Sequence, residues 1–220
     1  MKKLYAIVLC FGVSFSSFAG EPINLTNNLL FLNQGDGGKC YDENTHIINV
    51  GIGLATGYYV IAAGEKHTSS PYLNLSYEQP WQKKIGPGFL GVGAYFGYKT
   101  EKYVRNYNAW YGSGYHYERR HSYYTIAGRA TYHWDVLNTK KAEVYGGVLI
   151  GAYINIYTYN DNDPNQDYNS VSVNPFSPYV SPFVGARYYF TDNIGVYAEA
   201  GVHPHSHTGY NASVGCSIKF

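Results

Sequence analysis

Leu90-Gly91-Val92-Gly93-Ala94-Tyr95-Phe96-Gly97-Tyr98-Lys99 decides the fold. Leu90, Val92, Ala94, Phe96 and Tyr98 fall on one side of an extended chain. Gly91, Gly93, Tyr95, Gly97 and Lys99 fall on the other. Successive side chains of a strand point to opposite faces, so this segment predicts one apolar face and one face mixing glycine, tyrosine and charge. The pattern repeats in both directions. Ile48, Val50, Ile52 and Leu54 alternate with Asn49, Gly51, Gly53 and Ala55. Leu73, Leu75 and Tyr77 alternate with Asn74, Ser76 and Glu78. Downstream, Tyr124–Trp134, Glu143–Tyr157, Val184–Phe190, Ile194–His203 and Tyr210–Phe220 repeat it. This predicts eight strands, each close to the roughly 9–11 residues that a tilted membrane strand needs.

The connections alternate in length. Those read as short are Gln79–Pro87, Asp135–Ala142 and Thr191–Asn193. Those read as long and polar are Thr100–His121 and Tyr159–Ser177. Short periplasmic turns and longer outer loops belong to transmembrane barrels, so the even strands should run toward the periplasm. Tyr77, Trp134, Phe190 and Phe220 put an apolar-face aromatic near the lower end of each even strand, where headgroups accept such rings. A soluble lipocalin-like barrel is the architectural rival, because alternation alone does not say which face points inward. The Gly- and Tyr-rich face, poor in charge, suits a crowded lumen better than a water-facing surface. Pro175, Pro178 and Pro182 are awkward within a strand and are expected near its frayed upper end.

The N-terminus points the same way. Lys2 and Lys3 precede an apolar run from Leu4 to Phe15, and Ser17-Phe18-Ala19 places small residues at a cleavage site. Residues 1–19 therefore read as a signal peptide, 20–45 as a lead-in and 46–220 as the barrel. The run is too short for a transmembrane helix. Cys10 follows Leu9 rather than a small residue, which argues against a lipid anchor. The 220-residue chain has 26 Tyr, 25 Gly and a formal charge of +1, which becomes −1 without the two lysines. No basic signature for nucleic acid is present. Cys40 and Cys216 remain after cleavage, and their spacing does not decide whether they pair.

From about Thr45 to Phe220 the chain resembles the small outer-membrane protein β-barrel domain family, of the OmpX and OmpA-barrel type. Gly185-Ala-Arg-Tyr-Tyr-Phe-Thr-Asp-Asn-Ile-Gly195 resembles that family's late hairpin. Val214-Gly-Cys-Ser-Ile-Lys-Phe220 resembles its terminal strand. The resemblance implies an eight-stranded antiparallel up-and-down barrel in the outer membrane, with Phe220 as a signal to the assembly machinery. It implies no activity.

Glu78, Lys99, Arg129, Glu143, Arg187 and Glu199 all fall on the lumen face, where a paired network would fill the interior. Register parity puts Arg187 opposite Tyr197 and diagonal to Glu199, so these two are expected to pair, with Glu78 or Glu143 assisting. Tyr107, Trp110, Tyr111, Arg119 and Arg120 are the outer-loop candidates for a partner, being residue types that anchor interfaces. An upper aromatic girdle is the plainer reading of that stretch.

His203, His205 and His207 share a parity suited to Zn²⁺ or Cu²⁺, but Pro204 and the following Ser-His-Thr-Gly read as a polar turn. Ser206 lies between two histidines from which it should diverge on a strand, where a deacylase would need serine and histidine side chains together. No catalytic residue, metal or cofactor is therefore assigned. The expected protein is a monomeric, non-catalytic barrel in outer-membrane lipid, with a structural or surface-interaction role. A lipid-modifying enzyme and a narrow pore are the alternatives. N-terminal sequencing of protein from outer-membrane fractions should begin at Gly20; a cytosolic protein retaining Met1 would refute the export reading.

Overall fold

The computed structural model describes residues 39–54, 65–81, 84–108, 114–137, 139–161, 170–203 and 210–220. The cleavage site, Trp110, Tyr111, Ser206, His205 and His207 lie outside them. The extended segments are β1 (Ile47–Leu54), β2 (Glu65–Ser69), β3 (Tyr72–Pro80), β4 (Gly88–Asn108) and β5 (Gly114–Trp134). They continue with β6 (Ala142–Asp161), β7 (Ser170–Tyr189), β8 (Ile194–Val202) and β9 (Tyr210–Lys219). Both β2 and β3 pair with β4, so they form two parts of one wall, interrupted at Ser70-Pro71. Each wall is antiparallel to its neighbours, and β1 closes the sheet by pairing with both β3 and β9. The result is a closed eight-stranded antiparallel barrel.

Burial follows the period of two. Every wall exposes apolar side chains on the outer surface: Val50, Leu75, Phe96, Ile126, Ile150, Val184, Ile194 and Val214. The largest fully buried side chains include Tyr145, Tyr179 and Tyr189 together with His133 and Glu78, so the interior is aromatic and polar. Glycines make room for this interior. A Cβ on Gly97 would lie 1.8 Å from the Tyr72 hydroxyl, and one on Gly185 would lie 2.5 Å from the Tyr145 ring. A water-soluble protein buries its apolar face; this barrel is arranged the other way round.

The lower turns are tight. Ile85 and Gly88 pair across a turn in which Gly86 has φ 58°, a conformation glycine adopts without Cβ strain. At the β7–β8 hairpin the Phe190 amide donates to Ile194 O, while Thr191 Oγ1 accepts from the Asn193 and Ile194 amides. Arg187 is opposite Tyr197, as parity requires.

The stretches 100–121 and 159–177, expected to be long outer loops, are mostly strand. β4 and β5 remain paired up to Asn108↔Gly114, and β6 and β7 up to Tyr159↔Ser170. Among the described residues, β4–β7, with β2 beside β4, thus rise well above β1, β8 and β9. The proline-rich part of β7 fits this extension in two ways. The register shifts between Tyr153 and Asn155, opposite Pro175. Among the described residues, pairing with β8 ends at Phe183↔Gly201, and Pro178 and Pro182 lie above it.

The C-terminus closes the seam. His46 and Phe220 exchange two backbone hydrogen bonds of 2.9 and 3.0 Å, their rings stack, and His46 Nδ1 lies 2.8 Å from the Tyr77 hydroxyl. Deleting Phe220 removes the backbone pair and the stacking together. The truncated chain should yield less heat-modifiable, folded barrel on gels after refolding into lipid, and an undiminished yield would refute the latch.

Candidate functional site

The lumen charges come from five walls. Glu78 lies on β3, Arg129 on β5, Glu143 on β6, Arg187 on β7 and Glu199 on β8. Arg129 donates from Nε to Glu78 at 2.5 Å and from Nη2 to Glu199 at 2.5 Å. Arg187 donates to Glu78 at 2.7 Å and to Glu143 at 2.6 Å. Glu78 therefore joins two guanidiniums across the barrel. Gly93 stands in register between Glu78 and Arg129, so no side chain intervenes where these two meet.

The expected Arg187–Glu199 pair does not form. Glu199 turns to Arg129, assisted by a 2.9 Å hydrogen bond from the Tyr145 hydroxyl. The physical reasons are ladder pairing and curvature. Arg187 has Glu143 directly opposite it on β6, nearer than the diagonal Glu199, and in a narrow barrel side chains from opposite walls also converge near the axis. Lys99 does not join this network either; it forms a separate 2.7 Å pair with Glu101 higher in the lumen.

His133 completes the lower layer. Its Nδ1 lies 3.0 Å from Glu143 and its Nε2 lies 3.2 Å from Glu78. It therefore lies between two of the three carboxylates of the layer. The sequence placed His133 on the lumen face, but nothing in its local context singled it out. Tyr41 was missed altogether, because it lies in the lead-in, before any alternation begins. Its ring stacks on His133 with centroids 3.6 Å apart and packs with Ile47 and Phe89. Lys219 Nζ donates to Cys40 O at 3.3 Å, holding this segment beneath the barrel. Residues 39–46 thus cap the lower mouth. Cys40 is buried, Cys216 faces outward, and both are free thiols.

In the upper barrel the outer-loop candidates separate. Arg119 and Arg120 stand on β5, not on a loop, and alternation sends them to opposite faces. Arg119 turns inward, pairing with Glu65 at 2.5 Å between the rings of Tyr103 and Tyr117. Tyr117 also donates its hydroxyl to Glu65. Arg120 is exposed and pairs at 2.9 Å with Glu118, which also holds Lys102 at 2.6 Å. The hydrogen bond from Lys102, with Arg120 beside it, holds the Glu118 carboxyl below its usual range. Tyr107 is the penultimate residue of β4, and its side chain lies outside the described set. His203 is buried with its ring near Tyr72, Tyr153 and Tyr179. Among the described residues no three His, Cys, Asp or Glu side chains are grouped to hold a metal ion.

Neither a protein-family model nor a curated protein matches the sequence. Solved structures similar in shape are outer-membrane proteins. Ail, the attachment invasion locus protein of Yersinia pestis, in complex with the heparin analogue sucrose octasulfate, is 11% identical. The match covers 81% of this chain and 99% of Ail, with a TM-score of 0.44. The N-terminal β-barrel domain of Pseudomonas aeruginosa OprF is 15% identical over 82% of this chain and 100% of that domain, with a TM-score of 0.43. Pseudomonas aeruginosa OprG is 12% identical over 85% and 99%, with a TM-score of 0.38.

The network makes a quantitative demand. Glu78→Gln leaves two buried guanidiniums sharing one fewer carboxylate and should cost about 3–5 kcal/mol in urea unfolding from lipid vesicles. In a double-mutant cycle of Glu78→Gln with Arg129→Gln, the pair should cost less than the sum; strict additivity would show that the two side chains do not interact.

Proposed function

We propose that this chain is an integral outer-membrane barrel that works as a non-catalytic scaffold, presenting its raised β4–β7 wall to the exterior. The observation that carries this reading is the inverted surface. Ile126, Ile150 and Val184 are 54–60% exposed, while the interior holds the ion pairs. Such a band is costly in water and favourable in hydrocarbon.

Its height fits a bilayer. Along β5, Tyr124 and Trp134 both face outward and are ten residues apart. At roughly 3.3 Å per residue and a tilt of about 45°, this spans roughly 23 Å, near the ~25 Å apolar band of outer-membrane barrels. Tyr132, Trp134, Phe190 and Phe220 mark its lower edge, and the neighbouring rings of Tyr98 and Tyr124 its upper edge.

The filled lumen favours a scaffold over a pore. Arg129 and Arg187 cross the interior to the opposite walls, and Tyr41 caps the mouth below them. The refolded barrel should shift on gels with heating, show no stepwise conductance in planar bilayers and leave lipid A unchanged by mass spectrometry. Discrete channel openings would favour a narrow pore, and altered lipid A would favour an enzyme.

A further inference from the structure

The outward face of β2, β4 and β5 changes character above Tyr98 and Tyr124. In successive outward rows, Tyr98 is opposite Tyr124, Thr100 opposite Ser122, Lys102 opposite Arg120 and Val104 opposite Glu118. On the other side of β4, Thr68 is opposite Lys102 and Lys66 is opposite Val104. The Lys102–Arg120 row is four residues above the tyrosines. With the rise and tilt used above this is roughly 9 Å, beyond the hydrocarbon and at the level of lipid headgroups.

Two cations directly opposite on neighbouring strands repel, which is a costly arrangement for a sheet. Glu118 partly relieves it by bridging Lys102 and Arg120. With the exposed Lys66 beside them, these described outward residues carry three positive charges against one negative. The side chains of Lys102 and Arg120 are 40% and 53% exposed, so both can reach an anion while held by Glu118. A net excess of two charges matches a phosphomonoester, which carries about −1.5 to −2 at neutral pH, better than the single charge of a phosphodiester.

We infer that Lys102 and Arg120, with Lys66 beside them, form a binding site for a lipid-borne phosphomonoester in the outer leaflet. Arg120 offers a planar pair of donors to the phosphate oxygens, Lys102 a point charge, and Glu118 keeps the two cations apart and aimed outward. The site lies on one flank only, so it would hold the lipid against the raised wall rather than encircle the barrel.

This inference rests on the membrane reading, and the experiment separates the two. The full chain is refolded into phosphatidylcholine nanodiscs and titrated with diphosphoryl lipid A, with bound lipid counted by native mass spectrometry. Each basic residue at a lipid surface contributes about fivefold in affinity, so Lys102→Gln with Arg120→Gln should weaken binding roughly thirtyfold. Lys140→Gln with Lys141→Gln, at the lower turn, should leave it unchanged. Phosphatase-treated lipid A should bind the native chain and the Lys102/Arg120 variant equally weakly. Equal lipid A binding by the native chain and that variant would overturn the site. Phosphatidylglycerol binding as tightly as lipid A would overturn the phosphomonoester assignment. Failure of the native chain to insert as a heat-modifiable barrel would instead overturn the membrane reading.

Discussion

Glu78 is the point on which the interior depends. It is fully buried and meets both Arg129 and Arg187, so the walls that carry them are joined through one carboxylate. A barrel that turns its apolar side chains outward has no hydrocarbon core of its own, and something else must fill the space between its walls. Here tyrosines fill the volume and the ion pairs supply attraction where water is excluded. Burying such charges is unfavourable unless each is matched, which is why every carboxylate of the layer has a cationic partner. Inward glycines let these large groups cross.

The two ends of the barrel solve different problems. Below, the lead-in folds back, and Tyr41 covers His133 while the Phe220 backbone binds His46. The seam and the mouth are thus closed by segments from opposite ends of the chain. Above, β4–β7 leave the apolar band and continue as strands, supported from inside by the Glu65–Arg119 and Lys99–Glu101 pairs. The same alternation that sends Arg119 to Glu65 sends Arg120 outward. One period-two rule therefore builds both the interior of the raised wall and its charged outer face.

The sequence of this wall resembles loop for a physical reason. Within the apolar band, outward residues are hydrophobic and inward ones are not, so the contrast in polarity reveals the strand. Above Tyr98 and Tyr124 the outward positions become Thr100, Lys102, Ser122 and Arg120. Both faces are then polar and the contrast disappears, although the hydrogen-bonded ladder does not. The inward parity of Tyr103, Tyr117 and Tyr123 was the remaining trace of the strands.

The sequence by itself determined which side of each strand is apolar, how many walls there are, and that Glu78, Lys99, Arg129, Glu143, Arg187 and Glu199 share the interior. These follow from periodicity, which is local. It did not determine who meets whom. Arg187 meets Glu143 as its direct neighbour in the β6–β7 ladder, but it binds Glu78, and Glu199 binds Arg129, because closure brings distant walls to a common axis. Tyr41 and His133 meet only when the lead-in folds beneath β5. Partners across a lumen are set by the curvature of the closed sheet, a property of the whole chain that no window of alternating residues contains.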